Sequence, residues 1–288
     1  MSTLAEPPAE VADGYRAGRT LPFRVELARQ LKRRRTLVMG GVLVALPIIL
    51  LIAFQVGGDP GGNNNRVNLM DTATASGVNF AAVNLFSAAG FLLVIPVALF
   101  CGDTVASEAS WSSLRYLLAA PVPRARLLWS KLAVGLTLSL AALVLLPVVA
   151  LIAGTAAYGW GPLELPTGGS LSTGTAAQRM LIVVAYIMVS QLVTAALAFC
   201  LSTRTDAPLG AVGGAVFLTI IGSVLDEVTA LGDWRHFLPA HWQYAWLDAV
   251  RPRLEWTDMI QGTSVSVTYA LVLFALAFRG FARKDVVS

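Results

Sequence analysis

The chain of 288 residues is 56% hydrophobic and only 13% charged, whereas charged residues make up about 25% of an ordinary soluble protein. It contains several apolar runs of roughly 20 residues, the length that a helix needs to cross a bilayer, and it lacks the alternating segments of about ten residues that build a membrane β-barrel. The composition excludes a soluble globular fold and predicts an all-α polytopic membrane protein. The formal net charge of +4 comes from basic residues that set membrane topology, so we expect no nucleic-acid partner.

The N-terminal residues divide into two parts. Residues 1–20 are polar and predict a disordered cytoplasmic tail. Residues 21–36 predict an amphipathic interfacial helix, because Phe23, Leu27 and Leu31 share one face while basic residues cover the rest. The basic cluster at residues 32–35 anchors this helix on the cytoplasmic side, just before the first apolar run.

Six apolar runs predict a permease-like domain of six spans over residues 37–278. The runs are about Leu37–Val56, Asn79–Phe100, Leu132–Thr155, Met180–Leu201, Leu209–Leu225 and Ile260–Phe278. Pro47, Pro96 and Pro147 interrupt three of them, either as kinks tolerated by packing or as hinges. Lysine and arginine concentrate in alternate connections, so the positive-inside rule places both termini in the cytoplasm, with residues 279–288 as a short tail.

The longest connection between spans, residues 226–258, predicts re-entrant or interfacial helices on the outer side, between spans 5 and 6. Aromatic residues at this density favour the membrane–water interface. They are Trp234, Phe237, Trp242, Tyr244, Trp246 and Trp256. His236 and His241 are five residues apart with Pro239 between them, so they do not share a helix face as a metal pair would. We expect interfacial polar residues here and no metal site.

The predicted spans carry essentially no ionisable residues, which argues against an ion-coupled carrier or a membrane enzyme with buried acids. Milder polar residues do enter the spans. Those that could line a substrate path are Asn84, Ser87, Ser190, Gln191 and Thr194. Hydrogen bonding between helices is the commoner use of such residues in membranes.

Span 5 opens with three glycines. Gly210 and Gly214 form a Gly-x-x-x-Gly pair, which lets two helices approach closely, and Gly213 lies beside them. This pattern predicts a dimer interface, although such pairs also arise by chance.

The chain cannot form a glycine-rich phosphate loop, because none of its three lysines, Lys32, Lys131 and Lys284, follows a glycine. The sequence motifs of serine hydrolases, zinc proteases and dithiol redox proteins are absent as well. We therefore expect a non-catalytic chain without a cofactor of its own. If the protein uses ATP and magnesium, a partner subunit binds them.

A polar segment, residues 102–131, separates spans 2 and 3. Apolar residues at helical spacing predict a short amphipathic helix within it, and Pro121 and Pro123 end that helix. The segment carries in order Glu108, Leu114-Arg115-Tyr116-Leu117-Leu118, Pro121-Val122-Pro123-Arg124 and Lys131.

This order of residues resembles the permease subunits of ABC-2 type transporters. That family has a glutamate, a Leu-Arg-x-Leu-Leu run, a Pro-Val-x-Arg turn and a lysine at the next span; it often has Gly-Thr where this chain has Ser112-Ser113. The helix at residues 21–36 resembles the elbow helix of the family, and residues 237–242 resemble its outer re-entrant segment.

The resemblance implies a bacterial cytoplasmic membrane protein that forms a homodimer, or a heterodimer with a sister permease, and binds two copies of an ATP-binding subunit. Residues 107–118 would be the coupling helix seated on that subunit. The residues implied in the contact are Glu108, Trp111, Leu114, Arg115, Leu117, Leu118, Pro121 and Arg124. Glu108 and Arg115 would orient the contact, or else form an ordinary pair.

Two functions follow from the resemblance. The first is an ATP-driven exporter that moves a hydrophobic or amphipathic substrate, such as a lipid, drug or peptide, out of the cytoplasm or inner leaflet. The second keeps the same architecture but passes mechanical work to an extracytoplasmic partner without cargo. An ATPase partner separates both from a carrier or a membrane enzyme, and cargo-stimulated ATP turnover separates the first from the second.

Overall fold

The described part of the protein is built mainly from helices. A computed structural model describes residues 23–57, 69–110 and 123–283, and 83% of these residues are helical. The α-helices of this part of the chain are α1 Phe23–Leu31, α2 Arg34–Gly57, α3 Gly77–Ala89, α4 Val94–Ser110, α5 Arg124–Tyr158, α6 Thr173–Ser190, α7 Leu192–Arg204, α8 Pro208–Asp226 and α9 Thr257–Ala282.

Shorter elements connect these helices. Short 3₁₀ helices lie at Leu69–Thr72, Thr229–Phe237, Pro239–Trp242 and Ala245–Val250. Between α5 and α6, strands β1 (Leu163–Glu164) and β2 (Ser170–Leu171) pair antiparallel. This small hairpin is a departure from the purely helical prediction.

The long helices identify a membrane protein. Five helical segments in the described residues are long and apolar enough to cross a bilayer: α2, α5, α6 together with α7, α8, and α9. A sixth span exists if α3 and α4, which are bent by 54° relative to each other, form one broken span. The apolar runs of the sequence thus identified an all-α membrane protein correctly.

The helices on both sides of the polar segment extend into it. α4 continues to Ser110 and α5 begins at Arg124, so both flanks of the 102–131 segment belong to long helices. The middle of this segment, residues 111–122, lies outside the described residues. It contains the predicted contact residues Trp111, Leu114, Arg115, Leu117, Leu118 and Pro121. The predicted tail at residues 1–20 also lies outside them.

Prolines do not mark the breaks between these helices. Pro47 and Pro147 lie inside continuous helices. Pro96 is the third residue of α4, a first-turn position where a missing N–H leaves no intrahelical bond unmade. The breaks occur instead at residues 90–93, between α3 and α4, and at Gln191, between α6 and α7.

The bundle is arranged around α4, which packs against α5, α7 and α8, while α9 packs on α7 and α3 on α5. The α3–α5 contact depends on two glycines. A Cβ atom on Gly154 would lie 2.7 Å from the Cβ atom of Phe80, and one on Gly77 would lie 2.6 Å from the backbone nitrogen of Thr155. Any side chain at either position would push these helices apart.

The bundle has two ends, which differ in the residues that lie there. At one end, which we call the basic end, α1 meets the last turns of α4 and the first turns of α5, and Arg124 Nη1 donates to Ala282 O at the end of α9 over 3.3 Å. At the opposite end, residues 229–250 form a layer of 3₁₀ helices between α8 and α9. We call this layer the aromatic cap.

Candidate functional site

Charged side chains from three helices form a buried cluster at the basic end. Lys131 Nζ, on α5, donates to Glu26 Oε1 on α1 at 2.7 Å and to Glu108 Oε1 on α4 at 2.8 Å. Lys131, Glu26 and Glu108 are only 3%, 6% and 2% exposed. One ammonium group therefore joins α1, α4 and α5 in the interior.

Arg29 completes the cluster from its outer side. Its guanidinium group pairs with Glu26 at 3.0 Å and donates to Glu108, while its own side chain remains 47% exposed. Gln30 Nε2 adds a hydrogen bond to Glu26 Oε1 at 3.2 Å. The two cations balance the two carboxylates, which is the condition for burying charge without a large cost. We call Glu26, Arg29, Glu108 and Lys131 the charge cluster.

The sequence of α1 positions its half of the charge cluster. Glu26 and Gln30 are four residues apart, so they lie on one helix face, and this face is buried against the bundle. Phe23 and Leu31 are 39% and 47% exposed, so they remain available to the surrounding bilayer. A helix that lies in the headgroup region requires such an arrangement.

The charge cluster shifts the pKa values of its two members on α1. Burial by itself raises the pKa of Glu26, but the charge and hydrogen bond of Lys131 and the charge of Arg29 outweigh it, so the net shift is downward. Burial by itself lowers the pKa of Arg29, but the carboxylates of Glu26 and Glu108 raise it above its ordinary value. Both shifts favour the ionised forms.

A second group of contacts fixes the same part of α4. Arg33 Nη1 lies 3.1 Å from Asp103 Oδ2, and Arg35 pairs with the same oxygen. On the α7 side, Ser202 Oγ accepts two consecutive backbone N–H groups of α4 at 3.2 and 3.0 Å. The last turns of α4 are therefore held from three directions.

Glu108 lies in the interior of the bundle. The resemblance implies a side chain that contacts an ATPase, but Glu108 is buried in α4 and is paired with Lys131 and Arg29 inside the protein. These pairs join Glu108 to the neighbouring helices, and its role in an ATPase contact stays a prediction. Arg124, in contrast, is exposed at the start of α5.

A cavity of about 280 Å³ lies against the aromatic cap, between α7, α8 and α9. Three residues predicted for a substrate path line it: Ser190, Gln191 and Thr194. Asn84 and Ser87 do not line this cavity. Their side chains donate to backbone oxygens one turn back in α3, at 2.8 and 2.9 Å, and their place in a substrate path stays a prediction.

Gln191 stands out among the lining residues. It occupies the break between α6 and α7 and is 6% exposed, and its Oε1 atom is buried without a hydrogen-bond partner among the described residues. It also borders a second cavity of about 230 Å³, between α4, α5 and the α6–α7 pair. A buried acceptor that makes no hydrogen bond costs about 1–3 kcal/mol.

The aromatic cap is anchored to the bundle by hydrogen bonds. Tyr186 Oη, on α6, donates to Trp242 O at 2.6 Å, and Gln243 Nε2 donates to Ala89 O, the last residue of α3, at 2.8 Å. Within the cap, the side chain of Trp246 is fully buried. The predicted interfacial segment is therefore a packed layer joined to α3 and α6.

The two histidines of the cap lie together, which their spacing in the sequence did not predict. The 3₁₀ helices turn the chain at Pro239 and bring the rings of His236 and His241 to 4.8 Å between centroids. His241 Nδ1 also lies 2.7 Å from Asp226 Oδ1. The described residues contain no group of three or more His, Cys, Asp or Glu side chains that could hold a metal ion.

The three glycines at the start of α8 differ in how closely they pack against the rest of the chain. A Cβ atom on Gly214 would lie 3.2 Å from Leu201 Cδ1 on α7, and one on Gly210 would lie 3.6 Å from Ala207 Cβ in its own first turn. One on Gly213 would meet nothing within 4 Å. Gly214 therefore takes part in the packing of α8 on α7, and the dimer interface at Gly210, Gly213 and Gly214 stays a prediction.

Most of the residues described above lie in a range that matches a known protein family. Residues 62–287 match a family model described as "Protein of unknown function (DUF2705)". The chain belongs to this family. In this DUF2705 protein the matched range includes Glu108, Lys131, the cavity and the aromatic cap, and it leaves out α1 with Glu26 and Arg29. A search of the curated proteins finds no match.

Proposed function

We propose that the protein is the membrane subunit of an ATP-driven exporter of the ABC-2 type. It crosses a bacterial cytoplasmic membrane six times with both termini inside, pairs with a second permease, and binds two copies of a separate ATP-binding subunit. The observation that carries this proposal is the charge cluster, because Glu108 and Lys131 lie on the two sides of residues 111–122 and are bonded to each other at 2.8 Å.

The charge cluster has the properties that mechanical coupling requires. Residues 111–122 connect the end of α4 to the start of α5, and the resemblance of their sequence to a coupling helix is what suggests the ATPase contact. Since Glu108 and Lys131 hold the two helix ends together, a force on the connection moves α4 and α5 as one unit. Glu26 bonds the same lysine at 2.7 Å, so α1 moves with them.

The distribution of charge supports the orientation of the protein. The charge cluster, the 32–35 run and the end of α9 with Arg279 and Arg283 are at the basic end, and basic residues favour the cytoplasmic side of a membrane. The last residue of α4 and the first residue of α5, which flank residues 111–122 in the sequence, are at this end. An ATP-binding subunit in the cytoplasm could therefore reach them.

The cavity supports the proposed class of substrate. Its lining is mostly apolar, with a few uncharged polar side chains, which suits a hydrophobic or amphipathic molecule and not an ion. The sequence has no phosphate loop of its own, so ATP and magnesium belong to the partner subunit.

One observation favours the second function, the transfer of work to an extracytoplasmic partner. The aromatic cap is bonded to three elements, through Gln243 to α3, Tyr186 to α6 and His241 to α8. Movement of these helices would move the cap. Two aromatic residues of the cap, Trp234 and Phe237, are 74% and 64% exposed. ATP turnover that does not respond to any cargo would favour this second function over export.

The proposal is tested by affinity purification of the tagged protein from membranes of its own host. We expect an ATP-binding subunit to accompany the wild-type chain and to be lost when residues 111–118 are replaced by Gly and Ser, with membrane insertion unchanged. A matched control replaces residues 166–169, in the hairpin at the opposite end, and should retain the subunit. Recovery of the subunit with the 111–118 variant, or its absence from the wild type, would overturn the proposal.

A further inference from the structure

We propose that the cavity beside Gln191 binds an uncharged amphipathic molecule, whose polar head hydrogen-bonds the Gln191 amide and whose apolar body lies between α7, α8 and α9. The proposal depends on the proposed function only in identifying this molecule as the cargo. Binding to the isolated chain does not depend on it.

The Gln191 amide has a hydrogen-bond acceptor that no described residue uses. Its oxygen is buried and has no hydrogen-bond partner among the described residues. Gln191 as a whole is only 6% exposed. An amide offers an acceptor oxygen and a donor NH₂ group, and a hydroxyl group can pair with either one because it both donates and accepts. A molecule with a hydroxyl head would remove the cost of the unpaired oxygen.

Three other polar side chains that line the cavity are already engaged in hydrogen bonds, which favours Gln191 as the recognition group. Ser190 Oγ bonds Ile187 O and Thr219 Oγ1 bonds Ala215 O, both at 2.9 Å. Gln243 Nε2 is occupied by its bond to the end of α3. These side chains form the polar edge of the cavity. The Oε1 atom of Gln191 supplies an acceptor that has no partner among the described residues.

The lining also sets the charge and size of the ligand. It contains no Asp, Glu, Lys, Arg or His side chain, so a charged head would be buried without a counter-ion, at a high cost in free energy. The volume of about 280 Å³ is close to the lower limit of small-molecule pockets, which is about 300 Å³. A medium-chain neutral amphipath therefore fits better than a complete phospholipid.

The edge of the cavity lies on the outer surface of the bundle. Leu218 on α8 and Tyr269 on α9 line the cavity and are 45% and 41% exposed. Both belong to helices that are long and apolar enough to span the membrane. The ligand thus has a route into the cavity from the bilayer, between α8 and α9.

The test uses the purified full chain in lipid nanodiscs and a medium-chain primary alcohol that carries a diazirine on its alkyl chain. Irradiation followed by peptide mapping should place the label on residues that line the cavity. Unlabelled decanol should compete for this labelling, whereas decane, which lacks the head, and decanoate, which is charged, should compete far less.

Two pairs of variants separate specific binding from partition into lipid. Gln191→Leu should lower labelling about fivefold to tenfold, the effect of one lost hydrogen bond, and Gln178→Leu, on an exposed glutamine of α6, should leave it unchanged. Gly222→Leu fills the cavity next to Ala240 and should also lower labelling, since a Cβ atom there would lie 3.9 Å from Ala240 Cβ. Gly41→Leu, at an exposed glycine of α2 that faces open space, is its control.

The outcomes distinguish the cavity proposal from the exporter proposal. Wild-type labelling in Gln191→Leu, or equal competition by decane and decanol, would overturn the binding site. Labelling that follows the predicted pattern in a protein from which no ATP-binding subunit is ever recovered would support the site and overturn its assignment as an exporter's cargo site.

Discussion

Lys131 Nζ lies 2.8 Å from Glu108 Oε1, and this bond joins the end of α4 to the first turns of α5. Both side chains are almost completely buried, at 3% and 2% exposure. The same ammonium group also holds Glu26, and Arg29 brings the second positive charge. The charge cluster is therefore balanced, and its stability depends on all four members.

Removing Lys131 should destabilise the protein strongly. Lys131→Met leaves two buried carboxylates with Arg29 as the one remaining cation of the cluster, and loss of one partner from a buried pair costs about 3–5 kcal/mol. Reversible unfolding in mixed micelles measures the loss. Lys32→Met, at an exposed lysine next to α1, is the control and should change the free energy of unfolding by less than about 0.5 kcal/mol. Equal effects of the two variants would contradict the description of the cluster.

Removing a carboxylate together with the lysine should restore part of this loss. In Lys131→Met/Glu108→Gln, the remaining pair of Glu26 and Arg29 is balanced again, so the double variant should be more stable than Lys131→Met alone. A double-mutant cycle measures the coupling, which reaches about 0.5–3 kcal/mol between residues in one network. Strict additivity of the two single losses would show that Glu108 and Lys131 act independently.

The charge cluster should also make stability depend on pH under acidic conditions. The folded-state pKa of Glu26 lies below its ordinary value of 4.5, so the folded chain binds this proton less readily than the unfolded chain. The stabilisation is complete above pH 4.5 and is lost as the pH falls through the lowered pKa. Glu26→Gln should reduce the fall of the melting temperature in acid, while Glu255→Gln, at the opposite end, should not. If the melting temperature of Glu26→Gln falls in acid as steeply as that of the wild type, Glu26 is not the source of the pH dependence.

Alanine at two glycines should loosen the packing of α3 on α5. A Cβ atom on Gly77 meets the backbone of Thr155 and one on Gly154 meets the Phe80 side chain, both at less than 3 Å, and overpacking of this kind costs about 1–3 kcal/mol. Gly77→Ala should cost more, because backbone yields less than a side chain. Gly41→Ala, in α2, meets open space and should be neutral or stabilising in the same unfolding measurement.

The bond between Tyr186 and Trp242 should control the opening of the aromatic cap. Tyr186→Phe removes the donor of a 2.6 Å bond, a loss of about 0.5–1.5 kcal/mol, so amides of residues 238–250 should exchange with solvent several times faster. Hydrogen–deuterium exchange with mass spectrometry measures this rate. Tyr269→Phe, on a partly exposed tyrosine of α9, serves as the control. Unchanged exchange in Tyr186→Phe would mean that other contacts hold the cap.

The sequence predicted the membrane helices well, because the length of an apolar run alone decides whether a helix can cross the bilayer. It did not predict where those helices break. Proline was the available signal, but Pro47 and Pro147 are accommodated within helices and Pro96 lies in a first turn. The break at Gln191 has no such signal, since glutamine is an ordinary helix former.

The charge cluster could be anticipated only in part. Glu26 is the single acidic residue in the strongly basic stretch of residues 21–36, which indicates that it has a specific partner. Its partner Lys131 is far away in the chain, and no spacing rule connects them. Similarly, Ser190, Gln191 and Thr194 were predicted to line a path and do meet at one cavity, whereas Asn84 and Ser87 bond their own helix. Composition does not distinguish these two uses.

Native mass spectrometry of the tagged protein, gently solubilised from its own host, tests the central claim most directly. The proposed function predicts a four-chain assembly with two permease chains and two copies of an ATP-binding subunit. A monomer or a dimer without that subunit, in several mild detergents, would contradict it.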